Sequence, residues 1–327
     1  MAAYIIRRIF GMIPILLVIS IISFILIQLP PGDFLTSQLH RMQQQGEQIN
    51  EERIAALRAR YGLDKPMHVQ YVKWITHFVR GDMGYSFEWN RPVNELIWDR
   101  LGYTVLIALA SMLFTWAVAF PIGVYSALRQ YSPADYLFTA LGFLGLSVPS
   151  FMLALVLMYV GYERFGVSVG GLFSPEYIAE PWGLGKLGDF LRHIWIPMIV
   201  VGLGGTAGLI RVMRANLLDE LQKPYVTTAR AKGLSNVKLI LKYPVRIALN
   251  PFMSTIGWML PGLFSGAVIA AVVLSLPTTG PLLLGALKSQ DMYLAGSFIM
   301  ILSALTVIGT LISDIMLALI DPRIRYE

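Results

Sequence analysis

Six long apolar stretches set what this chain can fold into: Ile9–Leu29, Tyr103–Leu128, Tyr136–Tyr162, Ile194–Ile210, Phe252–Leu276 and Tyr293–Ile320. A helix needs about 20 such residues to cross the hydrocarbon of a bilayer. In lipid every backbone polar group must be satisfied inside its own segment, so each run is expected as a helix. Ile194–Ile210 is the short one, about 25 Å at helical rise. Composition agrees: 56% of residues are apolar and 14% charged, where soluble domains carry about 25% charged residues. The class is an all-α polytopic membrane protein with six transmembrane helices. With no cysteine in the chain, disulfides and thiolate metal sites are excluded. The first run ends in Gln-Leu-Pro-Pro-Gly-Asp without a small-x-small cleavage site, so it reads as a retained span rather than a signal peptide.

The polar connectors divide the chain. Residues 1–29 hold the N-terminus and the first span, 30–102 an extracytoplasmic helical subdomain, and 103–327 the remaining five spans. Within 30–102, Ile54, Leu57 and Tyr61 recur at helical spacing before Gly62. Val72, Ile75 and Val79, with Trp74 and Phe78, form a second stripe. Gly81-Asp82-Met83-Gly84 reads as a turn, and Pro92 opens a helix leading to the second span. Six spans put both termini on one side. That side carries thirteen Lys/Arg against five acids, mostly in short segments, whereas the opposite side has nearly equal numbers. By the positive-inside rule both termini and the 211–250 insert are cytoplasmic, and the net charge of +6 is topological bias rather than a sign of nucleic-acid binding.

The 211–250 insert is the long polar segment of the last third, and it carries helix punctuation. Pro224 suits a first helical turn, where its missing N–H would be unpaired anyway. Gly233 suits the residue after a helix end, because glycine takes positive φ at no steric cost. Ser235 suits the cap of a second helix. The expectation is helix, sharp turn, helix, beside the membrane rather than across it. Two roles fit. Lys238, Lys242 and Arg246, four apart beside Val237, Leu241 and Val245, suit an interfacial helix held by anionic lipid. Thr227, Thr228, Ala229 and Ala231 on the first helix are small, so a soluble partner could approach closely.

Signals of chemistry are weak. No phosphate-binding Gly-x-x-x-x-Gly-Lys-Ser/Thr loop and no His-Glu-x-x-His occurs. Gly202-Leu-Gly204-Gly-Thr-Ala207 mimics a dinucleotide fingerprint inside an apolar span; Gly204 to Gly208 and Gly262 to Gly266 read instead as small-residue helix contacts. His40, His68, His77 and His193 have no metal-site spacing and read as surface histidines. Asp314 is the carboxylate inside a span. Intramembrane acids are functional candidates, but its place near the tail favours a structural cap or an ion pair with Arg323, Arg325 or an arginine of the first span.

Tyr225-Val-Thr-Thr-Ala-Arg-Ala-Lys-Gly-Leu234 resembles the cytoplasmic "EAA" loop of ABC-importer permeases, with Thr227, Thr228 and Ala229 at the Glu-Ala-Ala positions and Gly233 in register. Ile247-Ala-Leu249-Asn-Pro251 loosely follows the later part of that pattern. Tyr61-Gly-Leu-Asp-Lys-Pro66 with Gly81-Asp-Met-Gly-Tyr-Ser86, Ser147-Val-Pro-Ser-Phe151, Asp314 through Asp321-Pro-Arg323-Ile-Arg325 and Tyr4-Ile-Ile-Arg-Arg-Ile9 are similar to stretches of the oligopeptide/dipeptide/nickel permease family, B-type member. Ala271 and Pro277-Thr-Thr-Gly280 depart from the acid and the Pro-Gly-x-Gly that this family often carries, which leaves peptide and oligosaccharide substrates both open.

The resemblance implies the type I permease fold of ABC importers, in a bacterial or archaeal inner membrane. It implies a second homologous permease, two ATP-binding subunits and an extracytoplasmic solute-binding protein as partners. ATP and Mg would sit on the partner subunits, so this chain binds no cofactor and is not itself an enzyme. Pro224, Tyr225, Thr227, Thr228, Ala229, Arg230, Ala231, Lys232, Gly233 and Leu234 would couple to the ATPase. Ser147, Pro149, Phe151, Trp258, Pro261 and Gly262 would line or gate the path, and Asp314, Asp321 and Arg323 would form a structural ion pair. An ion-coupled secondary transporter would want several intramembrane ionisable groups and inverted repeats, and Asp314 stands alone. An intramembrane enzyme would want a nucleophile–base pair, and none is visible.

Overall fold

The computed structural model describes residues 2–29, 65–165, 170–254 and 268–320. Several expectations lie outside them: the helix around Ile54–Gly62, the stretch Gly262 to Gly266, and Trp258, Pro261, Asp321, Arg323 and Arg325. The described chain is helical, without a strand among the described residues. Its helices are α1 (Ala2–Gln28), α2 (Met67–Val79), α3 (Val93–Leu128), α4 (Pro133–Ser147), α5 (Ser150–Phe165), α6 (Leu184–His193), α7 (Trp195–Leu221), α8 (Pro224–Ala231), α9 (Asn236–Lys242), α10 (Pro244–Ala248), α11 (Val268–Val273), α12 (Thr279–Lys288) and α13 (Met292–Ile320).

Four of these, α1, α3, α7 and α13, are long and apolar enough to cross a membrane. The pair α4 and α5 makes a fifth if counted as one span, although it bends by 101° at the Ser147–Ser150 break. Each half spans about 22–24 Å, short of a 30 Å hydrocarbon layer. The expected span Phe252–Leu276 falls largely on undescribed residues, with α11 as its described end. The spans leave large apolar side chains uncovered, among them Phe10, Ile13 and Leu17 on α1, and Leu106 and Leu113 on α3. Such continuous apolar surface suits lipid and would be a liability in water.

The chain divides into two compact units. One comprises 2–102 and 278–305, the other 103–277 and 306–327. In the first unit, α2 packs on α1 through aromatic rings, with Phe24 against Tyr71 and Trp74 at 5.4 and 5.9 Å. The indole of Trp74 donates to Ser297 at 3.3 Å and lies against Gly296. The inward face of α2 is therefore Tyr71, Trp74 and Phe78. Trp74 and Phe78 of the expected stripe lie on that face, but Val72 and Val79 are exposed, Val79 by 78%, because the larger rings take the buried side. The 81–84 turn forms with both glycines at positive φ. Gly84 lies so close to Tyr293 that an added Cβ would meet the ring at 2.6 Å. Asp291, fully buried, accepts from Ser86 Oγ at 2.5 Å and from the amides of Glu88 and Leu294 at 3.1 and 3.2 Å, so the turn is stapled to the start of α13.

In the second unit, α7 is the hub, packing on α4, α5 and α10. Gly202 lets α3 approach closely, with Phe114 and Thr115 against it. Thr115 and Thr206 both donate to the Gly202 carbonyl at 2.8 Å, a polar tie of the kind used between helices in lipid. Gly142 and Gly123 make similar close approaches, to Ala207 and Met213. The expected pair Gly204 and Gly208 does not: both face open space.

Two boundaries differ from expectation. Val93–Leu128 is one 36-residue helix, so the helix opened by Pro92 and the second span are a single rod. The fourth span does not end at Ile210 but runs on to Leu221, 27 residues in all. Arg211 and Arg214 end the apolar pattern without ending the helix. Arg211 lies over the Phe143 ring at 5.2 Å, and Arg214 donates to Asp135 at 3.2 Å.

The 170–193 connector is built rather than loose. Tyr103, Phe173, Trp182 and Phe190 form a ring cluster. Lys186, though buried, is satisfied by the carbonyls of Ile178 and Glu180 at 3.2 and 2.5 Å and lies 4.9 Å from the Phe173 ring, a cation–π contact. His193 is also buried, not on the surface as expected. Its Nδ1 lies 2.8 Å from the Asp189 carbonyl, a partner that lets the imidazole be covered. Asp189 accepts from the Ser174 amide and hydroxyl, both at 2.7 Å. Burial pushes the Asp189 carboxyl up, but the Ser174 hydrogen bonds and the nearby His193 and Arg192 outweigh that and hold it below its ordinary value.

Candidate functional site

The insert forms a compact corner. Pro224 stands at the first position of α8, preceded by extended Lys223. The helix ends in a Schellman motif: Gly233 N–H donates to the Arg230 carbonyl at 3.0 Å and Leu234 N–H to Ala229 at 3.5 Å. Gly233 has φ +77°, the left-handed region where a side chain is strained. Ser235 precedes α9 but its side chain makes no capping bond. Leu234 then folds over a small core of Val226, Ala229 and Leu239, with Tyr225, Ile240 and Tyr243 around it. Burying Val226 and Leu239 contributes about 1.5–3 kcal/mol each, more than so short a helix could supply by itself.

This core settles which side of α8 faces where. Val226 and Ala229 point inward, so Ala229 is not part of the exposed small-residue surface expected of it; its small size lets α9 come close. Thr227, Arg230 and Ala231 form one exposed stripe, and Pro224, Thr228 and Lys232 another. The second stripe borders an open groove of about 1040 Å³ whose other walls are Glu220, Lys242, Tyr243, Arg246 and Asn250. Tyr225 Oη donates to Glu220 at 2.5 Å. Burial, then the hydrogen bond and charge of Glu220, raise the Tyr225 phenol well above its ordinary range, so it stays protonated and holds the joint between α7 and α8.

The corner is packed onto the long helices. Ile240 belongs both to the small core and to a larger one of Ala119, Ala127, Met213, Leu217, Val245, Ala248 and Phe252. Phe252 sits edge-on to Trp116 and Phe120 at 6.0 and 6.4 Å, and Ser313 of α13 donates to the Met253 carbonyl at 2.9 Å. The corner is thus continuous in packing with α3 and α7, and the chain just beyond it with α13.

The other expected site residues are less closely gathered. Ser147, Pro149 and Phe151 all lie at the α4–α5 bend, with Ser147 Oγ turned back to the Phe143 carbonyl at 2.8 Å. Asp314 is half-buried in α13. Among the described residues no three His, Asp or Glu side chains converge as a metal site would require. Sequence reasoning missed the Arg214–Asp135 pair. Asp135 also accepts from the Tyr131 amide at 3.0 Å, while its own amide donates to the Ser132 cap. A carboxylate three residues after a Ser-Pro helix start was the available signal; its partner, 79 residues away, was not.

Two family models match the chain. The binding-protein-dependent transport system inner membrane component covers residues 119–326, and the N-terminal model of the binding-protein-dependent transport system membrane component covers 1–108. Curated relatives align over both full lengths. An oligopeptide transport system permease protein, AppB of Bacillus subtilis, is 36% identical over 100% of each chain. A glutathione transport system permease protein, GsiC of Salmonella paratyphi A, is 31% identical over 100% of each. A dipeptide transport system permease protein, DppB of Alkalihalophilus pseudofirmus, is 30% identical over 100% of each. Apolar spans, a rigid polar corner hung from them and matches over nearly the whole length place this chain in the family of inner membrane components of binding-protein-dependent transport systems.

Proposed function

We propose that the chain is one of two homologous permease subunits of an ABC importer for peptides. In this reading it works with two ATP-binding subunits and an extracytoplasmic binding protein, and α8 is the element that docks on an ATPase. The peptide class rests on the relatives, which are permease proteins of oligopeptide, glutathione and dipeptide transport systems. Both termini and the 211–250 loop face the cytoplasm, by the charge bias of the short connectors. Residues 1–29 form the N-terminal span, 30–102 an extracytoplasmic subdomain and 103–327 the permease core. Ser147, Pro149 and Phe151, with Trp258, Pro261 and Gly262, belong to the path or its gate, and Asp314 pairs structurally with the tail at Asp321 and Arg323. ATP and Mg stay with the partner subunits.

The observation that carries the docking role is the outward stripe Thr227, Arg230 and Ala231. It is exposed on a helix packed through Val226 on Leu239 of α9, whose neighbour Ile240 also packs on the core shared with α3 and α7. Exposure lets a partner grip the helix, and anchoring lets it pass a displacement on as a unit, because packed elements move between discrete arrangements. Ala231→Trp places bulk on the gripped side without touching the core. It is expected to lower ATPase retention in the purified assembly and to cut uptake at least about tenfold, a loss of only about 1.4 kcal/mol of coupling. Normal uptake and normal retention in that variant would end the reading.

A further inference from the structure

We infer that the groove between α8 and α9–α10 binds the headgroup of an anionic phospholipid of the inner leaflet. The inference rests on the proposal that this corner is cytoplasmic, and it concerns the side of α8 that the ATPase does not grip.

Charge comes first. Lys223, Lys232, Lys242 and Arg246 line the groove against one acid, Glu220, whose carboxylate is engaged by Tyr225. Among the described residues no carboxylate pairs with any of the four cations. Like charges gathered around one cavity repel unless an anion joins them, and the groove, at about 1040 Å³, has room for a whole phosphodiester headgroup with water.

Depth comes second. α7 has 27 residues, about 40 Å at 1.5 Å per residue. That exceeds the 30 Å hydrocarbon layer and matches a bilayer with its headgroups. Glu220, in the last turn of α7, lines the groove at the cytoplasmic end of that length, and Asn250 lines it from the other side. Tyr225 and Tyr243 on its walls are the residue type that settles at that interface.

Apolar neighbours come third. Val237 and Leu241, one turn apart on α9, are 70% and 55% exposed, and Ile247 on α10 is 41% exposed. They flank the basic side chains and offer acyl chains a contact that water would not reward. A purely acidic segment, having no apolar side chains, would leave them facing water. It would also have to enter beneath α8, whereas the outward stripe Thr227, Arg230 and Ala231 is already open to a soluble partner.

The test uses the assembled importer, with native mass spectrometry reading retained phosphatidylglycerol after exchange into mixed phosphatidylcholine–phosphatidylglycerol micelles. Lys242→Gln with Arg246→Gln is expected to lower retention at least about tenfold, at about fivefold per basic residue near an anionic surface. Lys242→Arg with Arg246→Lys keeps it, which separates lost charge from a disturbed fold. Lys238→Gln, on α9 but outside the groove, stays within about twofold of the parent, because a diffuse surface field at physiological salt falls away over about 8 Å. In vesicles, uptake by the parent rises when phosphatidylglycerol is mixed in equal parts with phosphatidylcholine, and that rise is lost in the double Gln variant. Equal losses for Lys238→Gln and the double Gln variant would overturn the groove in favour of general surface attraction. Displacement of the lipid by excess inorganic phosphate would overturn it in favour of a free anion. Unchanged lipid retention with a lost ATPase would overturn it in favour of an acidic protein segment. The docking proposal fails on a separate reading, if Ala231→Trp leaves uptake and ATPase retention intact whatever the lipid.

Discussion

Gly233 shows how one residue can carry a corner. Its φ of +77° lets the last amides of α8 turn back on Ala229 and Arg230, which brings Leu234 over the core. A Cβ there would meet open space, so the cost of substitution is backbone strain alone. Gly233→Ala is expected to destabilise the corner by about 1 kcal/mol, read as an increase of about fivefold in hydrogen exchange for the amides of residues 229–234; no change would show that the Schellman turn is not what fixes the corner. A bulkier Trp at the same place adds the same strain plus volume at the end of the proposed docking helix, and should uncouple hydrolysis from uptake. That glycine was legible in the sequence, because a Gly after a short Pro-initiated helix has few other uses. The Arg214–Asp135 pair was not, since neither residue type nor spacing announces a partner in another helix.

At the scale of elements, the 170–193 connector is the clearest case of structure exceeding pattern. Gly, Pro and Trp suggest a loop, yet the segment buries Lys186, Asp189 and His193 with their partners. Asp189 has its pKa lowered in the folded state, so its contribution is fully present above the ordinary carboxylate value and is lost as pH falls through the lowered one. Hydrogen exchange over 172–193 should therefore be slow at neutral pH and rise below about pH 4. Asp189→Asn should raise it even at pH 7, and an exchange profile indifferent to both would show that Ser174 is held by something else. The same logic of satisfied charge explains α7. Hydropathy stops at Ile210, but a helix continues wherever its charged residues find partners, and Arg211 and Arg214 find theirs on α4.

Across the molecule, the proposed function needs displacement at α8 to reach the spans, and Phe252 is the side chain through which the second unit supplies that path. It is fully buried between α3 and α10. Phe252→Ala should cost about 3–5 kcal/mol, with ATPase retention kept and uptake reduced relative to ATP hydrolysed. Uptake and hydrolysis falling in strict proportion would show that the ring holds the fold without transmitting anything.

The sequence by itself determined that this chain crosses a membrane as helices, where at least one end of each of four of them lies to within a few residues, and that a Pro-to-Gly helix hangs between two spans. These follow from local quantities: apolar length, charge at the ends of runs, and the backbone freedom of single residues. Tertiary structure alone decided which faces are buried. It turned Val72 and Val79 of α2 outward, chose Gly202 over Gly204 for close approach, carried α7 on to Leu221, and gathered Lys223, Lys232, Lys242 and Arg246 around one groove. Each of those outcomes depends on partners far away in the chain, and a period of 3.6 residues says that a helix has a face without saying what will meet it.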